Sequence, residues 1–80
     1  MAKVTVLFFS YAADRMNGRQ AVFEMSEGTT VEAFFQAHLK DKLRQPIKGL
    51  MFSINEEWAS PQATLHDGDQ LAVIPPVSGG

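Results

Sequence analysis

A single stretch of this chain carries the period of a helix, and that limits the folds open to it. Val31, Phe34, Phe35, His38, Leu39 and Leu43 fall at three- and four-residue intervals, making one apolar stripe that can lie across a sheet. Thr29 with Glu32 three positions later has the spacing of a capping box, so the helix is expected to run from Thr30. Lys40, Lys42 and Arg44 crowd its other end, where cations complement the helix dipole, and Pro46 stops it. With one helix in 80 residues, the stripe has one surface to be buried against, a sheet supplied by the rest of the chain.

The remaining segments read as strands. Val4 to Tyr11 is β-branched and aromatic with near-continuous apolarity, as in a central strand; Val4, Val6 and Phe8 share one face, and Thr5, Leu7 and Phe9 share the other. One set fills the core and the other is left needing a cover. Asp14-Arg15-Met16-Asn17-Gly18 reads as a turn led by Asn-Gly, and Gln20 to Met25 returns as a second strand, closed by Glu27-Gly28-Thr29. Beyond the helix, Leu50 to Asn55 is a third strand with Leu50, Phe52 and Ile54 on one face. Asn55-Glu56-Glu57 turns the chain, and Trp58-Ala59 forms a short additional strand that Ser60-Pro61 breaks. His66-Asp67-Gly68-Asp69 turns into the last strand, where Leu71 and Val73 face one way and Ala72 and Ile74 the other. This order describes an α+β domain, one main helix packed across a mixed sheet of about five strands, and the β-grasp is a fold of this kind. It places the first and last strands side by side and parallel at the centre.

The last strand runs into Pro75-Pro76-Val77-Ser78-Gly79-Gly80. Two consecutive prolines donate no ladder hydrogen bonds and favour extended geometry, so residues 1–74 are expected to form the folded body and residues 75–80 a projecting tail with a stiff stem and a slim tip. A tip without side chains suits a carboxylate that is itself the reactive group, because it can be threaded into another protein's narrow active site; a frayed end with no role has the same composition. Composition narrows the rest. A 45% hydrophobic and 20% charged chain is globular rather than disordered. It has no cysteine, so disulfides, thiolate metal sites and cysteine nucleophiles are excluded and any sulfur chemistry must use borrowed sulfur. Net charge is -2 and the seven Lys and Arg are scattered along the sequence, which argues against nucleic acid as a partner. Val4 to Phe9 is too short to span a bilayer and has no cleavage signal beside it, so no membrane is expected and a cytoplasmic location is.

The block Leu65-His66-Asp67-Gly68-Asp69, continuing through Leu71-Ala72-Val73-Ile74 to the diglycine end, resembles the small subunits of molybdopterin synthase, sulfur carriers of the ubiquitin-like β-grasp. Val6-Leu7-Phe8-Phe9, the capped helix from Thr30 and Ile54-Asn55 extend the resemblance over nearly the whole chain. It departs after the first strand, where the family often has Arg-Glu before a glycine and this chain has Asp14-Arg15 before Met16-Asn17-Gly18. The resemblance implies that an ATP-dependent, ubiquitin-activating-like enzyme adenylates the Gly80 carboxylate and that a persulfide sulfur converts it to a thiocarboxylate. The segment Pro75, Pro76, Val77, Ser78, Gly79 and Gly80 then enters the active site of the large synthase subunit, where the sulfur helps build the dithiolene of molybdopterin. On this reading no cofactor is held tightly, the small subunit alone is not catalytic, and it assembles with the large subunit in a heterotetramer. Family position puts Phe9, Trp58 and Ile74 on the exposed sheet face as an apolar patch against that subunit, and the strand alternation independently turns Phe9 and Ile74 away from the core. A sulfur carrier for thiamine or tRNA thiolation shares the tail and the fold, and so does a ubiquitin-like modifier joined to lysines through Gly80.

Other signals read as structure. Asp67 and Asp69 flank a glycine without the further ligands of a calcium loop, as in a turn before a strand. His38 and His66 are far apart and no thiol is available, so no metal site is expected.

Overall fold

Alternating β-branched residues make β1 (Ala2–Phe8), in which Ala2, Val4, Val6 and Phe8 are buried while Thr5 and Leu7 are half-buried on the opposite side. The computed structural model describes residues 1–76. β1 pairs antiparallel with β2 (Gln20–Met25), with Leu7 opposite Gln20 and Ala2 opposite Met25, and parallel with β5 (Gln70–Ile74), with Phe8 opposite Val73. β3 (Met51–Ile54) runs antiparallel to β5, and β4 (Glu57–Ala59) antiparallel to β3. The sheet order is β2-β1-β5-β3-β4, so the first and last strands are parallel neighbours at the centre. This is the β-grasp, a fold that the element order allowed and that the family resemblance implied.

Across one face lies a helix, α2, spanning residues 31–43. Its first turn Val31–Phe34 and last turn Lys40–Leu43 are α, and its middle, Phe35–Leu39, is π. The buried residues Val31, Phe35, Leu39 and Leu43 are spaced by four. In an α-helix of about 3.6 residues per turn that spacing drifts round the surface, and the wider π turn brings the stripe back onto the sheet. Phe34 fills the gap beside it, its ring edge-on to Phe23 with centroids 5.0 Å apart. His38 stays exposed at the margin of the stripe, tilted against the Phe23 and Phe34 rings. The inner sheet residues Val4, Val6, Phe8, Phe52, Leu71 and Val73, with Leu65 from the crossing loop, complete one core. Each such side chain contributes roughly 2 kcal/mol by burial.

Three details differ from the sequence expectation. β1 ends at Phe8 rather than Tyr11, because Ser10 adopts a positive φ of 55° that breaks the strand, and Tyr11–Arg15 coils into a short helix, α1. The Asn17-Gly18 turn follows it, with Asn17 left-handed at φ 62°. The departure from the family at Asp14-Arg15 acquires a structural role here: the Arg15 guanidinium stacks 4.6 Å from the Tyr11 ring centroid and donates to the Leu43 carbonyl at the end of α2. The helix cap is Thr30, whose Oγ1 accepts from the Ala33 N–H at 3.1 Å, while the Thr29 hydroxyl donates to the Ser26 carbonyl. Glu32 therefore falls one position short of a capping box. Among the described residues, no helix is long and apolar enough to cross a membrane.

Candidate functional site

The candidate site begins where β5 ends. Because β5 is hydrogen-bonded on both sides, to β1 and to β3, the chain leaves from the middle of the sheet rather than from an edge. Ile74 is half-buried, Pro75 is fully buried and Pro76 is exposed. The body thus keeps one residue more than the boundary at Ile74 expected from sequence, since the Pro75 ring packs as an apolar group although it cannot extend the ladder. Val77, Ser78, Gly79 and Gly80 lie outside the described residues.

Around that exit the sheet presents a second apolar surface, on the face away from α2. Phe9 continues the alternation of β1, its N–H donating to the Val73 carbonyl at 3.2 Å, and stands beside Ile74, which is directly opposite Met51. A second row runs Leu7, Ala72, Ser53, Trp58 through successive strand pairings. Val22, opposite Thr5, extends the surface onto β2. Apart from Met1, the large hydrophobic side chains standing exposed among the described residues all lie here: Phe9 at 46%, Met51 at 54%, Val22 at 55% and Trp58 at 70% exposure. An apolar surface open in the isolated chain is a candidate interaction face. The sequence names Phe9, Trp58 and Ile74 for this surface and sets Leu7 on the same uncovered side of the first strand, but it does not name Met51 or Val22. The signal that finds them is strand alternation, which puts Met51 opposite in sense to Leu50 and Phe52.

The specific block at residues 65–69 has a different task. The Asp67 carboxylate accepts the Lys3 N–H at 2.8 Å, and the Gly68 N–H donates to the Lys3 carbonyl at 2.9 Å from a backbone with φ 90°, a conformation that favours glycine. Asp69 accepts the His66 N–H through Oδ2 and the Asn55 amide through Oδ1, while Asn55 Oδ1 accepts the Gln70 N–H and the Asn55 N–H donates to the Gln70 carbonyl. Both carboxylates are thereby used to hold the β3–β4 hairpin and the start of β1 to the start of β5. Among the described residues no three His, Asp or Glu side chains converge as metal ligands would.

The match that decides kinship covers residues 6–80, which fit the model of the ThiS family. The chain belongs to the ThiS family. Over 98% of its length it is 32% identical to the molybdopterin synthase sulfur carrier subunit of Chlamydomonas reinhardtii, covering 99% of that protein. In structure this ThiS family member is similar to SAMP1 from Haloferax volcanii, at a TM-score of 0.84 with 22% identity over 99% of this chain and all of that one. It is also similar, at a TM-score of 0.66 with 21% identity over 98% of this chain and 99% of that one, to a chain in the Helicobacter pylori complex of subunits 1 and 2 of molybdopterin-converting factor. Both structural likenesses concern the fold.

Proposed function

We propose that this ThiS family protein is the sulfur-carrier subunit of a molybdopterin synthase. The observation that carries the reading is the apolar row Phe9, Ile74 and Met51, which flanks the point where the chain leaves the sheet toward its diglycine end. A tail and a docking face sharing one exit let a partner bind the body while its active site takes the tip. The relatives of the chain, named as molybdopterin synthase sulfur carrier subunits at matching length, favour this pathway over thiamine synthesis or tRNA thiolation.

The chemistry follows from a carboxylate that must become a nucleophilic sulfur. The Gly80 carboxylate attacks the α-phosphate of ATP on an adenylating enzyme, releasing pyrophosphate and giving an acyl adenylate. A persulfide donor displaces AMP to form an acyl disulfide, which a thiol cleaves reductively to leave the thiocarboxylate. Pro76, Val77, Ser78, Gly79 and Gly80, with Pro75 anchoring their base, enter the active site of the large subunit. There the sulfur attacks the pterin precursor and water cleaves the acyl bond, restoring the carboxylate. The chain contributes the tether and the sulfur; substrate binding and proton transfer belong to the partner. The cytoplasm is the compartment this cycle fits, since persulfide and thiol chemistry needs a reducing medium.

Intact-mass analysis of the protein from its own host tests the reading. A fraction with one oxygen replaced by sulfur at the C-terminus is expected, and deletion of Gly80 should abolish molybdopterin formation without altering thermal unfolding. Cofactor synthesis retained by the deletion variant would overturn the mechanism. A ladder of covalent conjugates in place of the thiocarboxylate would assign the chain to protein modification.

A further inference from the structure

The charged residues, scattered in sequence, are sorted in space. β1 and β5 are parallel, so both end where the tail leaves; β2 begins there, with the Phe8 N–H donating to the Arg19 carbonyl, and β3 begins there after the turn Ile47–Gly49. The last turn of α2 is tied to the same end by the Arg15 contact with the Leu43 carbonyl. Arg15, Arg19, Lys40, Lys42, Arg44 and Lys48 therefore all lie at the tail end, and all are exposed. That is six of the seven Lys and Arg, against Asp14 and Asp41 as the only Asp or Glu there among the described residues, a surplus of four positive side chains.

The opposite end holds the rest. The helix start and the end of β2 bring Glu24, Glu27 and Glu32; the β3–β4 turn and the loop before β5 bring Glu56, Glu57, Asp67 and Asp69, with Lys3 as the only Lys or Arg among them. Helix-dipole complementation accounts for Lys40, Lys42 and Arg44. It does not account for Arg15, Arg19 and Lys48, which lie off α2. A chain of net charge -2 thus presents a positive end and a more strongly negative one.

We propose that the positive end is a docking collar for the adenylating enzyme, meeting an acidic rim around the cleft that admits the C-terminal segment. This rests on the sulfur-carrier reading. Such a carrier must bind two proteins in succession through one tail, and the molecule has two chemically distinct surfaces beside the exit. The apolar sheet face suits the lasting complex with the large subunit, because burial of that area holds partners together. The cationic collar suits the brief encounter, because long-range charge raises association rates more than it slows release. The acidic far end adds orientation, since it repels an acidic rim and turns the chain tail-first.

Association rates of the full-length chain with the purified adenylating enzyme of its host, measured at low and high ionic strength, test this. Lys42→Glu combined with Lys48→Glu should slow capture about tenfold at low salt, the difference closing as salt screens the field. Lys42→Gln with Lys48→Gln should show a smaller slowing of the same sign, and both variants should remain folded, with unfolding lowered only by the modest dipole contribution of Lys42. Glu56→Lys with Glu57→Lys, at the far end, should leave the rate within about twofold of native or raise it. Association with the large subunit should be unmoved by the collar variants. Equal rates for native and reversed chains at every salt would overturn the proposal, as would slowing seen with the large subunit alone. Binding of bulk RNA lost in the reversed chain would overturn it by reassigning this end to nucleic acid. Failure of the native chain to be captured or adenylated at any salt would instead sink the carrier reading, and this proposal with it.

Discussion

The two faces of the sheet are written in the same alternating code and end in opposite states. On the inner face Val4, Val6, Phe8, Leu71, Val73 and Phe52 are covered by the stripe of α2 and are buried. On the outer face Leu7, Phe9, Ile74, Met51 and Trp58 are as apolar, yet no element of the described chain covers them. The chain lays one long helix across its sheet, so it completes one hydrophobic layer and leaves the second open. The same alternation thus builds a covered layer that folds the monomer and an uncovered one that is left for the docking proposed above, and coverage alone tells them apart.

The hardest test of the contrast is to truncate one aromatic on each face. Phe34→Ala should destabilise the monomer by about 3–5 kcal/mol, seen as a large fall in the urea midpoint, while Phe9→Ala should change it by less than about 1 kcal/mol. Comparable losses would mean that the outer face belongs to the core. Next in size, Met51→Glu or Trp58→Glu should weaken binding to the large subunit by about 2 kcal/mol or more in titration calorimetry, with unfolding unchanged. Undiminished affinity would remove the outer face as the docking surface. Asp69→Ala should lower stability by about 1–2 kcal/mol, because the His66 N–H and the Asn55 amide lose their acceptor and the hairpin carrying Trp58 loosens. The smallest effect is a gain. Asn55 and Glu56 both adopt positive φ in the two-residue β3–β4 turn, where glycine is preferred at the second position. Glu56→Gly should raise thermal stability by about 1 kcal/mol, and a loss instead would show that Glu56 makes a stabilising contact.

Legibility in the sequence followed the range of the interactions. The stripe of α2, its start near residue 30, the turn at Asn17-Gly18 and the turn at residues 66–69 depend on neighbours within a few positions, and each is visible in the chain, although the capping side chain is Thr30 rather than the Thr29 of the expected box. α1 is not, because its Arg15 anchor is the Leu43 carbonyl, far along the sequence. The π turn in α2 is not visible either, since the run Phe35-Gln36-Ala37-His38-Leu39 carries no Gly, Pro or other local signal that separates it from an α turn.

By itself the sequence determined the strands and their two-sided pattern, the one long helix and the proline-diglycine end, because side-chain alternation and backbone restriction are local properties. Only the tertiary structure decided what those parts do together. Long-range register set Phe9 beside Ile74 and Met51, and parallel pairing of β1 with β5 put the ends of distant segments at one pole. That is why six of the seven Lys and Arg, dispersed along the chain, collect around the exit of the tail: position in space follows strand direction, which no local run of residues encodes.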